Sequence, residues 1–414
     1  MPHPSRFAAT ASAALVTLSL AAPLAAAPDP ADWEAVREAA RGQTVYWNAW
    51  GGDTRTNDYI AWVAERLAAK HDVEVVHVKL DDTSSAVSRV VAEKAAGNDS
   101  DGSIDLIWIN GENFAAMKQR DLLYGPFAEA LPHFALTRPQ ANPEVVTDFT
   151  LPTEGYESPW GKAQITFYYD SEEIGGDSAE IETPPASIEA LLDWAEANPG
   201  RFTYPRVPDF TGSTFLKQAL IALTDEREAL YAPVEASDFT AVTAPLWDYL
   251  DALHPHLWRS GRQFPASGPE LRSLMGNGEL SLAFTFYPSE PAAAVADHEL
   301  PPSTRSYVLD EGTLGNVHFV AIPFNSPHKA GALVLANFLL SPEAQAHKQD
   351  LAVWGDRTVL DVAHLPADTR ALFDLDESNP AMLPATALGK TLAEPHPSWM
   401  DALEAAWQAR YVGE

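Results

Sequence analysis

The sequence predicts an α/β chain built as two lobes, and three stretches carry the prediction. Residues 43–121 read as strand, glycine turn, helix, strand, helix, strand, polar turn and helix. Residues 159–224 repeat the alternation, and residues 315–340 end in a strand and a helix apolar enough to pack on a sheet already built.

In the first stretch, Thr44–Trp50 (TVYWNAW) and residues 103–109 (SIDLIWI) are β-branched and aromatic runs bounded by turn residues, as strands are. Between them, residues 55–70 place Ile60, Val63, Ala64 and Leu67 on one helical face. Residues 73–80 form the next strand, and residues 85–96 a helix with Val87, Val90 and Val91 inward. A right-handed crossover puts these strands in one parallel sheet, with the turns Trp50-Gly51-Gly52-Asp53 and Asn110-Gly111-Glu112-Asn113 on the same edge. Ligands of such sheets sit just beyond the carboxyl ends of the strands, so the two turns are expected to form one wall of a cleft.

Further along, Pro159-Trp160-Gly161 reads as a turn ahead of an apolar strand at 163–169. A helix at 187–197 is stopped by Asn198-Pro199-Gly200, and a strand at 201–204 leads into residues 205–213, where a new helix starts and runs to Thr224. Residues 270–276 read as helix, 280–287 and 315–323 as strands, 328–340 and 341–350 as helices, and Ser398–Tyr411 as a C-terminal helix. The chain shows no internal repeat.

Composition narrows the function. With 58 acidic against 27 basic residues the net charge is −31, which argues against a nucleic-acid partner and leaves either a solvated acidic surface or a cationic ligand. Residues 1–27 hold Arg6 as their sole charged side chain, an apolar segment at 11–22 and then Pro23-Leu24-Ala25-Ala26-Ala27, the pattern of a cleaved secretory signal. That apolar segment is well short of the roughly 20 residues a bilayer requires. Cysteine is absent, so neither a disulfide framework nor a lipid-attachment cysteine is expected. The predicted address is the periplasm, as a soluble monomer.

The turns supply the first site candidates. Gly51 and Gly52, after Trp50, let a ligand approach backbone N–H groups at a helix start, which suits an anion; a plain tight turn has the same composition. Asn110, Glu112 and Asn113 can fix an amine, hydroxyl or amide, or cap a helix. Asp209, Phe210, Thr211 and Gly212 open a helix whose N–H groups and hydroxyls can cradle an oxyanion, or they form a capped start with Phe210 as a staple. Signals for catalysis are poor. No GxSxG elbow, phosphate loop, HExxH or cysteine nucleophile occurs. Ser326-Pro327-His328-Lys329 matches Ser-x-x-Lys where a loop enters a packed helix, His254-Pro255-His256 lacks a nearby third metal ligand, and the pairs Asp81-Asp82 and Glu172-Glu173 have no positioned partner. No catalytic residue, metal site or cofactor is assigned.

Seven segments, 48–53 (NAWGGD), 105–114 (DLIWINGENF), 157–164 (ESPWGKAQ), 203–212 (TYPRVPDFTG), 244–250 (APLWDYL), 315–320 (GNVHFV) and 352–356 (AVWGD), resemble the extracellular solute-binding proteins of ABC importers, specifically the YnjB type. The resemblance spans nearly all of the chain after residue 27. It implies a two-lobed periplasmic-binding-protein-like fold of type II, each lobe a mostly parallel sheet flanked by helices and joined by crossing hinge strands. The lobes would be 28–162 and 163–318, with 319–414 returning to lobe one and adding C-terminal helices. It also implies capture of a small polar solute and delivery to ABC permease transmembrane subunits. Trp160 would then lie at the first crossing, Tyr287 at the end of a lobe-two strand and Asn316 beside the second crossing, so the two aromatics become candidates either to stack on the solute or to pack in a core or between the lobes, and Asn316 either a weaker contact or a holder of hinge backbone. The charge of that solute stays open: glycine turns and helix starts suit an anion or zwitterion, while Glu112, Asp209 and the tryptophans suit an organic cation of thiamine-like or polyamine type. A periplasmic hydrolase or transferase on the same two-lobed fold is the rival expectation.

Overall fold

A computed structural model describes residues 28–174, 183–374 and 378–412; the segment read as a signal, residues 1–27, lies outside them. Helix α1 (Trp33–Ala40) leads into β1 (Thr44–Trp50), α2 (Thr54–His71), β2 (Glu74–Leu80), α3 (Ser84–Ala95), β3 (Leu106–Ile109) and α4 (Gly111–Lys118). β1 lies between β2 and β3 and runs parallel to both, with Trp47 opposite His77 on one side and Leu106 on the other. This is the predicted βαβ order, and burial explains it: Val45, Trp47 and Ala49 are sealed in the core, and α2 turns Tyr59, Ile60, Val63 and Leu67 onto the sheet.

After a hairpin of β4 (Thr147–Asp148) and β5 (Leu151–Pro152), the chain crosses on β6 (Glu157–Gln164) into β7 (Thr166–Asp170). The second lobe follows as α5 (Ile188–Ala197), α6 (Phe210–Leu223), α7 (Phe239–Leu253), α8 (Gly268–Gly276), β8 (Leu282–Thr285), α9 (Glu290–Ala296) and β9 (Thr304–Tyr307). The long strand β10 (Thr313–Ala321) crosses back to α10 (Lys329–Leu339), α11 (Pro342–Gln349) and α12 (Ala367–Arg370). Finally β11 (Thr391–Leu392) leads to α13 (Ser398–Tyr411).

The first sheet has the order β11-β10-β3-β1-β2, with β6 also paired to β10. The second is β8-β7-β9, and every pairing in it is antiparallel, Phe167 facing both Phe284 and Tyr307. The sequence reading expected a mostly parallel sheet here. β7 carries the chain away from the crossing and β9 brings it back to β10, so the two must run in opposite directions.

Two further expectations are corrected. Pro159-Trp160-Gly161 is not a turn but the middle of β6, where the register against β10 shifts so that Pro159 faces Phe319 and Gly161 faces His318. Trp160 is the extra residue of this bulge, and a bulge is one place where a sheet tolerates a proline. Residues 201–204 join no ladder: the Arg201 carbonyl accepts from the Ser281 and Leu282 N–H groups, and the Phe202 carbonyl accepts from Trp258. Pro205, next in line, has no N–H to continue a strand.

Each sheet carries its own hydrophobic core. One gathers Trp47, Trp108, Trp160, Phe319 and the buried face of α10; the other gathers Phe167, Trp194, Phe202, Tyr204, Phe215 and Phe284. α13 belongs with the second core, to which it adds Trp399, Leu403 and Trp407. At the crossing, the buried Gln164 amide donates to Thr313 Oγ1 (3.0 Å) and to the Leu388 carbonyl (2.8 Å), tying all three crossing segments together.

Candidate functional site

A cavity of about 310 Å³ lies where the two lobes face each other. The first lobe lines it with the carboxyl ends of three parallel strands: Trp50 and Asp53 after β1, Asp81 to Ser84 after β2, and Trp108, Asn110, Glu112 and Asn113 at the end of β3. The second lobe answers with Asp209, Phe210 and Thr211 at the start of α6, Arg272 of α8, Phe286 and Tyr287 after β8, and Glu290 of α9. His318 of β10 and Trp354 reach the cavity from the crossing side, and α13 contributes Met400, Asp401 and Glu404.

Of the candidates named from sequence, the structure brings Trp50, Asn110, Glu112, Asn113, Asp209, Phe210, Thr211 and Tyr287 to this cavity. Five lie elsewhere. Gly51 donates its N–H to the Leu80 carbonyl at 2.9 Å, which removes the donor meant for an anion. Gly52 is needed because the Trp50 indole folds back over it; a Cβ there would sit 2.5 Å from the ring. Gly212 is packed into α6. Trp160, with 0% exposure, sits inside an aromatic cluster, 4.8 Å from Trp108 and 5.4 Å from Trp47 between ring centroids, and cannot stack on a solute. Asn316 donates to Glu394 instead, at 3.1 Å.

The helix starts decide the electrostatics. Asp53 caps α2 by accepting from the Arg55 and Thr56 N–H groups, and Asp209 caps α6 by accepting from Thr211 and Gly212. At α4 the Asn110 side chain makes no cap; Asp148 takes the Gly111 N–H at 2.6 Å. Every helix start that faces the cleft from these turns therefore already holds a carboxylate, where an anionic solute would have docked.

Charge on the walls points the same way. Eight carboxylates line the cavity against two guanidiniums, and both guanidiniums are committed. Arg272 pairs with Glu290, with Asp53 (3.3 Å) and with Glu299 (3.0 Å). Arg55 pairs with Asp297 and donates to the Leu351 and Ala293 carbonyls. Among the described residues Glu112, Asp209 and Glu404 form no ion pair, and burial pushes their carboxyls up to about 8, about 6 and about 7. Aromatic rings supply the apolar faces: Tyr287 lies 5.9 Å from Trp354, which lies 5.9 Å from Trp108, and Phe210 meets Phe286 at 5.4 Å.

Sequence reading missed Arg272, Asp401 and Glu404, which lie within helices and carry no turn or strand-end signal, and also Phe286, beside the candidate Tyr287, and Trp354, within the segment 352–356. Asp53 and Asp82 were visible in quoted motifs but unassigned. Of the motifs weighed for catalysis, the Asp81-Asp82 pair lines the cavity, and the Ser-x-x-Lys match and His254 are engaged in hydrogen bonds within the fold. The Ser326 hydroxyl donates to Asp105 at 2.7 Å, and Lys329 donates to the Ser326 carbonyl at 2.6 Å. His254 shares a 2.7 Å hydrogen bond with the Tyr204 hydroxyl inside the second core. Glu172 and Glu173 are exposed, and among the described residues no group of three His, Cys, Asp or Glu side chains could hold a metal.

Residues 62–373 match the family of bacterial extracellular solute-binding proteins. Protein YnjB of Escherichia coli (strain K12) is 46% identical over 380 residues, covering 92% of this chain and 94% of that one. Among solved structures, the periplasmic binding protein AfuA from Actinobacillus pleuropneumoniae, with exogenous fructose-6-phosphate bound, superposes with a TM-score of 0.62 at 15% identity, over 89% of this chain and 99% of its own. A putative spermidine/putrescine ABC transporter protein from Listeria monocytogenes gives 0.61 at 16% identity, over 88% and 98%. At such identities these structures establish the two-lobed fold alone.

Proposed function

From the premise that this chain belongs to the bacterial extracellular solute-binding protein family, we propose that its cargo is a small organic cation. The chain is the solute-binding component of an ABC importer. It is exported by its N-terminal segment, closes two lobes on the cargo in the periplasm and hands it unchanged to permease subunits. The observation that carries the choice of cation is the state of the helix starts: α2, α4 and α6 are each served by a protein carboxylate, and both cavity arginines are spent. Glu112 and Glu404 attract positive charge, and the faces of Trp108, Tyr287 and Phe286 suit the apolar or π-accepting side of an organic cation. Closure follows because contacts from both lobes exist only in the shut state, so cargo shifts the equilibrium by its differential affinity.

The test is purification without refolding, then denaturation and mass spectrometry of whatever is released, alongside a thermal-shift panel of cations, anions and zwitterions. A stoichiometric, unmodified cation is expected, with cations alone raising the melting temperature. Release of an anion, or consumption of a candidate substrate, would reject the reading.

A further inference from the structure

We propose that Glu112 selects the cargo by its hydrogen-bond donors, so that the charged group taken up is an N–H-bearing cation such as an ammonium or amidinium and not a quaternary ammonium. This rests on the organic-cation reading and sharpens it. Glu112 occupies the first turn of α4, at the carboxyl end of β3. Its Oε1 accepts from Asn113 Nδ2 at 2.6 Å, while Oε2, shut off from solvent, has no hydrogen-bond partner among the described residues. A buried acceptor left unmade is destabilising, more so when charged, so a ligand that supplies a donor recovers that loss and one without a donor does not.

Among the described residues no lysine or arginine forms an ion pair with Glu112. Lys217, whose charge reaches it, is paired with Glu394 at 2.7 Å and lies over the rings of Phe149 and Phe210. Glu404, itself engaged by the Ser213 hydroxyl at 2.6 Å, and Asp401 bring further negative charge from α13 to the same end of the cavity. A ligand in the cavity, which residues of both lobes line beside Glu112, can supply that donor.

The experiment uses the full mature chain and two probes of one skeleton, phenethylammonium and its N,N,N-trimethyl derivative, titrated by calorimetry into the native protein and into Glu112→Gln. The substitution keeps an amide oxygen for Asn113, and matching circular dichroism confirms that the variant is folded. We expect phenethylammonium to bind at least tenfold more tightly than the trimethyl probe, and Glu112→Gln to erase that preference. Equal binding of the two probes, an unchanged preference in Glu112→Gln, or no binding of either at millimolar concentration would overturn the inference. The compound released from the native protein separates the two readings. A quaternary cation would remove the role of Glu112 and leave the organic-cation reading standing, whereas an anion would remove both.

Discussion

Lys217 and Glu394 form an ion pair at 2.7 Å in which each side chain is 1% exposed, joining α6 to the segment that crosses back toward α13. Replacing Lys217 with Met keeps the length and the contact with Met400 but leaves Glu394 with the Asn316 amide as its neighbouring donor. Breaking a buried pair from one side costs about 3–5 kcal/mol. The carboxyl can limit that cost by taking up a proton. Each pH unit above the ordinary glutamate value near 4.3 costs about 1.4 kcal/mol, which sets a ceiling of about 3.7 kcal/mol at pH 7 and about 1 kcal/mol at pH 5. In the variant the folded-state carboxyl is raised, so its penalty is present above the unfolded value and vanishes below it. Equilibrium urea unfolding of both proteins at pH 7 and pH 5 reads the difference directly. A loss of several kcal/mol at pH 7 that shrinks to about one at pH 5 is expected, with Lys217→Met/Glu394→Gln recovering most of it. A loss independent of pH would show that packing of the lysine stem, not the stranded charge, sets the cost, and the reasoning would fail.

Four further outcomes are expected. Because burial raises Glu112 to about 8, Glu404 to about 7 and Asp209 to about 6, the empty cleft holds protons that a cation displaces. Affinity for a cation should therefore rise between pH 6 and 8, by up to about tenfold per unit for each proton released, and calorimetry in buffers of different ionisation heat should detect the protons. Without cargo, the same raised carboxyls make stability fall as pH climbs from their unfolded values near 4 through these folded ones. Arg272→Met removes the pair to Asp53 across the lobes, so small-angle scattering of the cargo-free protein should give a larger radius of gyration; an unchanged value would deny Arg272 a role in closure. Trp160→Ala should cost about 3–5 kcal/mol of stability through an aromatic cavity, whereas Tyr287→Ala should weaken cargo binding with a smaller stability loss; the opposite split would mean that Trp160 meets the cargo after all.

What the sequence determined by itself was the local grammar. The order of strands and helices in residues 43–121, the ends of β1 and β3 as cleft wall and the C-terminal helix at Ser398–Tyr411 all follow from periodicity, caps and turn residues a few positions apart. Of the eight site candidates that reach the cavity, Trp50, Asn110, Glu112 and Asn113 do so because the carboxyl end of a parallel strand is a place legible from neighbours in the chain, Asp209, Phe210 and Thr211 because a helix start is, and Tyr287 because it closes a strand. Tertiary structure decided what depends on distant partners. The antiparallel second sheet follows from where the chain must return, and the β6 bulge from a register set by β10. Trp160 was assigned to the wrong side of the crossing because an aromatic residue reads alike whether it faces a core or a solute. The positive charge proposed for the cargo draws on the most distant partners. Helix starts and glycine turns look like anion sites until Asp148, 37 residues from Gly111, is seen occupying one and the Leu80 carbonyl is seen holding the Gly51 N–H. A backbone donor is available to a ligand only if no protein acceptor reaches it first, and which acceptors reach it is a property of the folded chain.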